Sequence, residues 1–543
     1  MYRLFIVFLS VLPLLTKAQP QKPEVPLVIG IVVDQMRYDY LNRYATHYSK
    51  NGFKRLMNQG SHFVYAQYNY IPTYTAPGHA SIYTGSTPSH HGIISNHWYS
   101  KDEKKVVYCV TDARYETVGA DNQSGECSPF RMQSTTLADA MRMHNNGRSR
   151  SFAVSLKDRG AVLPAGHMGN AAYWYDSKTG HFVSSTYYMM TLPTWLNAFN
   201  ERQYAAELMK DKWDLLLPRG YYENAFPDSG PGEEDVFREG ETNFPHLFER
   251  LAPEDKRSAI RTTPFGNTLL TELAMELIDK ESLGMRGYTD FLSISYSSPD
   301  YVGHAYGPNS MEVMDTYLRL DRELAFLMGY LDKTFGKSNY LLFLTADHGV
   351  KPNGAYLDSN RIPAGSLSPS VVHDSLKAWS AMWYGDSTII EAVHDNQIYF
   401  NKNQIARLKL DLNVLSLRFQ AQLRDQFKTI SAVHSKQALN GFSAVRNMNH
   451  LALNGTHSYL SGDLSFELAP NFITGNHEKG TTHGAPFDYD THVPLLFYGK
   501  TIPKDYRTEE VYIVDIAPTI AEILGIMEPE SCIGKPLIPH PKR

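Results

Sequence analysis

Cysteine is almost absent from this sequence: 543 residues hold three, Cys109, Cys127 and Cys532. None sits in a Cys-x-x-Cys pair, so a thiolate zinc site is excluded, and three thiols cannot staple a scaffold of this length. Cys109 and Cys127 are close enough in the chain to bridge across a loop, leaving Cys532 over; three free thiols are the alternative. Clustered basic charge is missing too. No Lys/Arg run exceeds the Lys104–Lys105 pair, and 52 Lys+Arg against 57 Asp+Glu leave a formal charge of −5, which excludes a general nucleic-acid or polyanion binder. Internal repeats and low-complexity tracts are absent, and past the N-terminus no apolar stretch approaches the ~20 residues that span a bilayer. With 42% hydrophobic and 20% charged residues, the chain is not of the disordered, collagenous or coiled-coil classes.

What is present begins with an address. Arg3, the apolar run 4–15 and Thr16-Lys17-Ala18 follow the order of a secretory signal peptide cleaved after Ala18. Residues 1–18 are therefore expected to be removed and the mature chain exported, to the periplasm or beyond. The length allows about 3–4 average domains, but large α/β enzymes also fill such a chain as one elaborated domain.

The run Leu27–Val33 is continuous and apolar, like a strand buried on both faces, and it stops at Asp34. The same grammar recurs at Phe291–Tyr296 before Ser297-Ser298-Pro299-Asp300, at Tyr340–Thr345 before Asp347-His348, and at Val493–Tyr498 after His483. Apolar residues at helical spacing mark Leu269–Ile278, a longer helix from Met314 to Leu331, and Ile516–Ile526. This alternation predicts an α/β fold with a large, mostly parallel central sheet flanked by helices and a site beyond the carboxyl ends of its strands. Residues 19–543 read as a single catalytic domain. The stretches near 173–262 and 352–471 break the rhythm and read as insertions at the site-bearing edge.

Asp300 and His304 stand four apart, so one helical turn puts carboxylate and imidazole on one face, a spacing suited to a shared cation. Asp347-His348 adds a second pair, with Gly349 behind it to let the chain turn sharply. Asp34 and His483 complete three carboxylates and three imidazoles at strand ends. Singly, each is more often a cap or a satisfied polar side chain. Gathered by one sheet edge, they are the donor set that two zinc ions require. In Thr73-Tyr74-Thr75-Ala76-Pro77-Gly78-His79, Pro77 suits the start of a short helix stopped at Gly85, which sets Thr75 just before the positive end of a helix dipole. A threonine hydroxyl attacks only when a metal or a base activates it. Thr73 points the same way from an extended segment, and spacing does not choose between the two.

In chain order the motifs are Val33-Asp34, Thr75-Ala-Pro-Gly-His79, Gly92-Ile-Ile-Ser-Asn96-His-Trp-Tyr99 and Ser155-Leu-Lys157-Asp-Arg159-Gly160. Pro299-Asp300-x-x-Gly303-His304, Ala346-Asp347-His348-Gly349 and Thr482-His483-Gly484 follow. Together they resemble the alkaline phosphatase superfamily and look most like its secreted, threonine-nucleophile alkaline phosphatases of the PafA type. The resemblance runs from residue 34 to residue 483, and the helix at 515–526 also matches. It implies an exported monomer with two Zn²⁺ per chain that hydrolyses small-molecule phosphate monoesters through a covalent phosphothreonine. Asp300, His304 and His483 are implied to hold one zinc, and Asp34, Asp347 and His348 the other. Thr75, preferred to Thr73 by its place in the motif, is the implied nucleophile and a ligand of the second zinc. Asn96 and the backbone N–H of Ala76 are implied to donate to the non-bridging oxygens, and Lys157 and Arg159 to grip the phosphate. His79, His90, His91, His477 and His492 match no ligand position.

Charge separates the candidate substrates. Two zinc ions are neutralised by Asp34, Asp300, Asp347 and a Thr75 alkoxide, so Lys157 and Arg159 leave a surplus that matches a monoester dianion. A diester carries one charge less and has a second organic group to place. A sulfatase would need Cys or Ser at Thr75 and Arg at His79, and a phosphoglycerate mutase a Ser nucleophile. A nucleotide pyrophosphatase/phosphodiesterase shares the six ligands but lacks the Lys/Arg pair. An inactive zinc- or phosphate-binding protein would not need every chemical position filled.

Overall fold

Strands rich in apolar residues on both faces must be covered on both sides, and three such runs form the middle of one sheet. The computed structural model describes residues 23–439, 447–475 and 478–540; the leader at 1–18 and His477 lie outside them. The sheet comprises β1 (Leu27–Val33), β2 (Ser61–Gln67), β3 (Thr117–Val118), β4 (Ser151–Ser155) and β5 (Ala171–Asp176). It continues with β6 (His181–Ser185), β7 (Asp290–Tyr296), β8 (Leu341–Thr345), β9 (His492–Gly499) and β10 (Asp505–Tyr512). Their order is β10-β2-β9-β8-β1-β7-β4-β5-β6-β3. β1 lies between β7 and β8, parallel to both, with Leu27 opposite Asp290 and Val33 opposite Tyr296. Every residue of β1, β7 and β8 is buried, as the apolar runs of β1 and β8 demand; in β7 the buried Ser293 and Ser295 hydroxyls are paired with Tyr83 and His79.

Only β6 and β9 run against the other strands. The reversal of β9 matters for function. Its first residue, rather than its last, lies at the edge where β1, β7 and β8 end, so the chain just before it, with His483, arrives at that edge.

The helices that serve the site are α1 (Thr75–Thr84), α2 (Asp158–Ala165), α3 (Phe265–Lys280), α4 (Ser298–Tyr306), α5 (Met311–Phe335) and α6 (Ile516–Leu524). The periodic segments at 269–278 and 314–331 extend outward to caps; the Ser310 side chain, for example, accepts the Val313 N–H. α1 begins at Thr75 itself, not after it, so Thr75 is the first helical residue and Pro77 falls inside the first turn, where its missing N–H is not needed. Gly85 ends α1 and Gly525 ends α6, both left-handed, at φ 66° and 64°.

The stretch near 173–262 opens with strands of the central sheet, β5 and β6, and becomes irregular only beyond them. The stretch near 352–471 contains a four-stranded sheet ordered Ile390–His394, Gln397–Phe400, Leu464–Leu468 and Ile430–Ser435. Val372, Leu376, Phe400, Phe419, Leu423 and Phe466 form an apolar cluster there, separate from the main core. The hairpin between its first two strands turns at Asp395 and Asn396, with φ of 44° and 61°, the geometry that a two-residue type I′ turn requires. No bridge joins Cys109 and Cys127: all three cysteines are free, and those two are buried as small apolar side chains. Among the described residues, no helix is long and apolar enough to cross a membrane.

Glu467, on the third strand of the small sheet, is 9% exposed, and burial pushes its carboxyl from 4.5 up to about 8. The native state therefore keeps a proton that the unfolded chain has lost, and this group's contribution to stability falls as pH rises from about 4.5 through 8. Glu467→Gln is expected to be more stable than wild type at pH 9, by on the order of 1–4 kcal/mol. Thermal melts at both ends of that window check this; an equal shift at pH 5 and pH 9 contradicts it.

Candidate active site

Three carboxylates that leave adjacent strands in one direction must meet. Asp34 follows β1 and its N–H donates to the Tyr296 carbonyl; Asp300 sits in the first turn of α4 after β7; Asp347 follows β8. They are 0%, 2% and 0% exposed. Asp300 gathers with His304 and His483, and Asp34 with Asp347 and His348, one ligand atom per residue and all within 4.8 Å of one another in each group. His304 Nε2 lies 3.1 Å and His483 Nε2 3.8 Å from Asp300 Oδ1. His348 Nε2 lies 3.4 Å from Asp34 Oδ1 and 3.6 Å from Asp347 Oδ2.

The imidazoles are oriented by the backbone. His304 Nδ1 donates to Thr481 O at 2.7 Å, His348 Nδ1 to Gly349 O at 2.9 Å and His483 Nδ1 to Thr73 O at 2.8 Å. With Nδ1 occupied in all three, Nε2 is the ring nitrogen that faces the carboxylates. Burial, with the neighbouring His348 and His304, holds the His483 ring well below its ordinary pKa, and burial also lowers His348. Burial opposes the charged form of His304 as well, but the adjacent Asp300 carboxylate keeps that ring above its usual value.

The acids are unevenly loaded. Burial, then repulsion from Asp300 and Asp347, pushes the Asp34 carboxyl well above the carboxylate range. Burial acts the same way on the other two, but His304 and Lys157 hold Asp300 low, and His348 and His79 hold Asp347 low. Asp34 Oδ1 and Asp347 Oδ2 are buried with no hydrogen-bond partner, although such oxygens are normally paired. Two orphaned carboxylate oxygens beside three inward-facing imidazole Nε2 atoms suit divalent cations that take nitrogen and oxygen donors.

Thr75 is 1% exposed, with Oγ1 3.4 Å from His348 Nε2, beside the Asp34 group. Thr73 is placed otherwise: its hydroxyl donates to the Ala485 carbonyl at 3.2 Å while its own carbonyl orients His483. The structure thus separates two threonines that spacing left equivalent. The Ala76 N–H donates to Asn96 Oδ1 at 2.9 Å, so this donor is engaged within the protein, and the group left for an oxygen of a ligand is the Asn96 amide NH₂. Lys157 caps α2 and sends Nζ between the two clusters, 2.6 Å from Asp34 Oδ2 and 2.5 Å from Asp300 Oδ2. Arg159, two residues on, donates from Nη1 to the Tyr108 hydroxyl at 3.1 Å, and that hydroxyl donates to Asp158 Oδ1 at 2.5 Å.

Several supporting residues are invisible to motif reading. Gln35 donates from its backbone to Asp347 Oδ1 at 3.1 Å and from Nε2 to Asp300 Oδ1 at 2.7 Å, tying the two groups together. Its only sequence signal is adjacency to Asp34. His79 is no ligand in this geometry but stands behind one: Nδ1 contacts Thr75 O at 2.9 Å and Asp347 Oδ2 at 3.4 Å, and Nε2 meets Ser295 Oγ at 2.8 Å. Ser95 Oγ donates to Asp395 Oδ2 at 2.5 Å, so the hairpin tip of the small sheet braces the residue before Asn96. Gly78 and Gly349 serve close approach; a Cβ would lie 2.4 Å from Asp347 O at the first and 2.2 Å from Tyr489 O at the second. Gly349 is thus needed for contact with the segment preceding β9, rather than for a left-handed turn.

The whole arrangement has relatives. The model of the type I phosphodiesterase / nucleotide pyrophosphatase family matches residues 28–485. The chain is 40% identical over 519 residues to alkaline phosphatase PafA of Elizabethkingia meningoseptica, covering 95% of this chain and 94% of that protein. It is 41% identical over 511 residues to alkaline phosphatase PhoV of Synechococcus elongatus, covering 94% and 92%. The crystal structure of wild-type PafA matches with a TM-score of 0.90 at 39% identity, over 95% of this chain and 98% of that one. The chain belongs to the type I phosphodiesterase / nucleotide pyrophosphatase family of the alkaline phosphatase superfamily.

Proposed function

We propose that the protein is an exported, zinc-dependent alkaline phosphatase that hydrolyses small phosphate monoesters through a phosphothreonine, acting as a monomer. The observation that carries this reading is the position of the Thr75 hydroxyl beside one of two converged Asp/His clusters, with Lys157 between them. Similarity to proteins named alkaline phosphatases over nearly the whole chain supports it, and the leader at residues 1–18 supports export.

Asp300, His304 and His483 would hold one zinc, and Asp34, Asp347, His348 and Thr75 the other. Zinc bound there would make the Thr75 hydroxyl acidic and take up charge on the departing oxygen. Thr75 Oγ1 gives up its proton and forms the bond to phosphorus as the ester P–O bond breaks. Water then cleaves the phosphothreonine, releases inorganic phosphate and restores the hydroxyl. Asn96, its Oδ1 held by the Ala76 N–H, offers its NH₂ to a non-bridging oxygen. Lys157 supplies a point charge and Arg159 a planar fork, so the pocket is charged for a dianion.

Lys157→Ala and Arg159→Ala are each expected to lower monoester kcat/KM by about 10²–10³ while lowering diester hydrolysis less than about 10-fold. Steady-state kinetics on an aryl monoester and an aryl diester check this, with zinc content measured because Lys157 also neutralises two buried acids. Equal losses on both substrates contradict the discriminating role. Thr75→Ala is expected to abolish the covalent intermediate with zinc still bound. Peptide mapping of acid-quenched enzyme reads this, and a phosphate on Thr73 overturns the assignment. Chelation is expected to abolish activity and zinc to restore it best; full activity in chelator with metal analytically absent sinks the metal-dependent reading.

A further inference from the structure

Lys157 is held by more than its two carboxylates. The Tyr301 ring centroid lies 5.0 Å from Lys157 Nζ, within cation–π range. Tyr301 follows Asp300 directly on α4, so one helical turn sets both the carboxylate and the ring. From elsewhere in the fold, Arg261 Cζ lies 4.9 Å from the same centroid, and its Nη1 donates to the Tyr301 hydroxyl at 3.3 Å. Arg261 is itself fixed: Nε donates to Ser258 O at 3.1 Å and Nη2 to Ser258 Oγ at 2.8 Å. A continuous chain of contacts thus runs from Ser258 through Arg261 and Tyr301 to Lys157.

We propose that Tyr301, braced by Arg261, is the positioning residue that keeps the Lys157 ammonium at the phosphate pocket and so contributes to the preference for monoesters over diesters. The physical reason lies in what the other two partners must also do. Asp34 and Asp300 belong to the two clusters of ligand atoms, one each, and any cation held there draws on the same carboxylate charge that attracts Lys157. The ammonium ends a flexible four-carbon stem and keeps its place only if something independent of those lone pairs holds it. The ring face is such a partner, because its quadrupole attracts the ammonium without sharing an oxygen with a metal.

The inference rests on the phosphatase reading, and the experiment separates the two. Zinc-loaded wild type, Tyr301→Leu, Tyr301→Phe and Arg261→Met are compared for monoester and diester kcat/KM, inhibition by inorganic phosphate and zinc content. Tyr301→Leu, which removes the ring, is expected to lower monoester kcat/KM and weaken phosphate inhibition, each about 10-fold. Diester turnover is expected to stay within about twofold and zinc content to be unchanged. Tyr301→Phe, which keeps the ring, is expected to stay within about threefold of wild type, with Arg261→Met between them. In a Lys157→Ala background, Tyr301→Leu is expected to have no further effect on either readout. Additive losses in that double variant, equal losses on both ester classes, or loss of zinc from Tyr301→Leu overturns the positioning role. If Lys157→Ala alone fails to discriminate the esters, the monoester reading fails and this inference with it. If it discriminates and Tyr301→Leu does not, this inference alone fails.

Discussion

Three aspartates buried together at the ends of β1, β7 and β8 place more negative charge in one dry pocket than folding alone would tolerate. The rest of the site answers that burden. Lys157 bridges Asp34 and Asp300, Gln35 donates to Asp300 and Asp347, and His79 stands behind Asp347. Even so, two carboxylate oxygens find no donor, and the Asp34 carboxyl is driven toward its neutral form. A pocket built this way is complete only with further positive charge, and three imidazoles turned Nε2-inward define where it goes.

Rigidity comes from the sheet. β1, β7 and β8 are buried on both faces and held in register, so the three acids that follow them cannot drift apart without breaking the central core. Reversal of β9 brings in the sixth donor, because it delivers the loop bearing His483 to the same edge. The helices refine this frame: α1 presents Thr75 at its first residue, α2 presents Lys157 at its cap, and α4 carries Asp300, Tyr301 and His304 within about one turn. The candidate site residues thus sit on element termini, where backbone positions are set by packing rather than by loop conformation.

The small sheet reaches the site through the Asp395–Asn396 turn, which contacts Ser95 and so the chain around Asn96; Glu391 adds a hydrogen bond from the Tyr99 hydroxyl. The sheet's apolar cluster is separate from the main core, and its polar turn is the part directed at Ser95.

Much of this was legible from sequence because the fold's demands are written locally. Apolar runs that stop at an acid mark central strands, an Asp and a His four apart mark one helical face, and both survive in the structure as β1, β7, β8 and α4. What the residues alone could not say were relations across long separations in the chain. Gln35 lies 265 residues from the Asp300 it contacts, and Ser95 lies 300 from Asp395. No local pattern encodes such contacts, since any polar side chain of the right length would look the same before folding. The different partners of the Thr73 and Thr75 hydroxyls, the reversal of β9, the free state of Cys109 and Cys127, and the engagement of the Ala76 N–H by Asn96 likewise emerge only in three dimensions. Periodicity and residue type determine which groups exist and which element carries them; their distances and partners depend on how the elements pack, and that is a property of the whole chain.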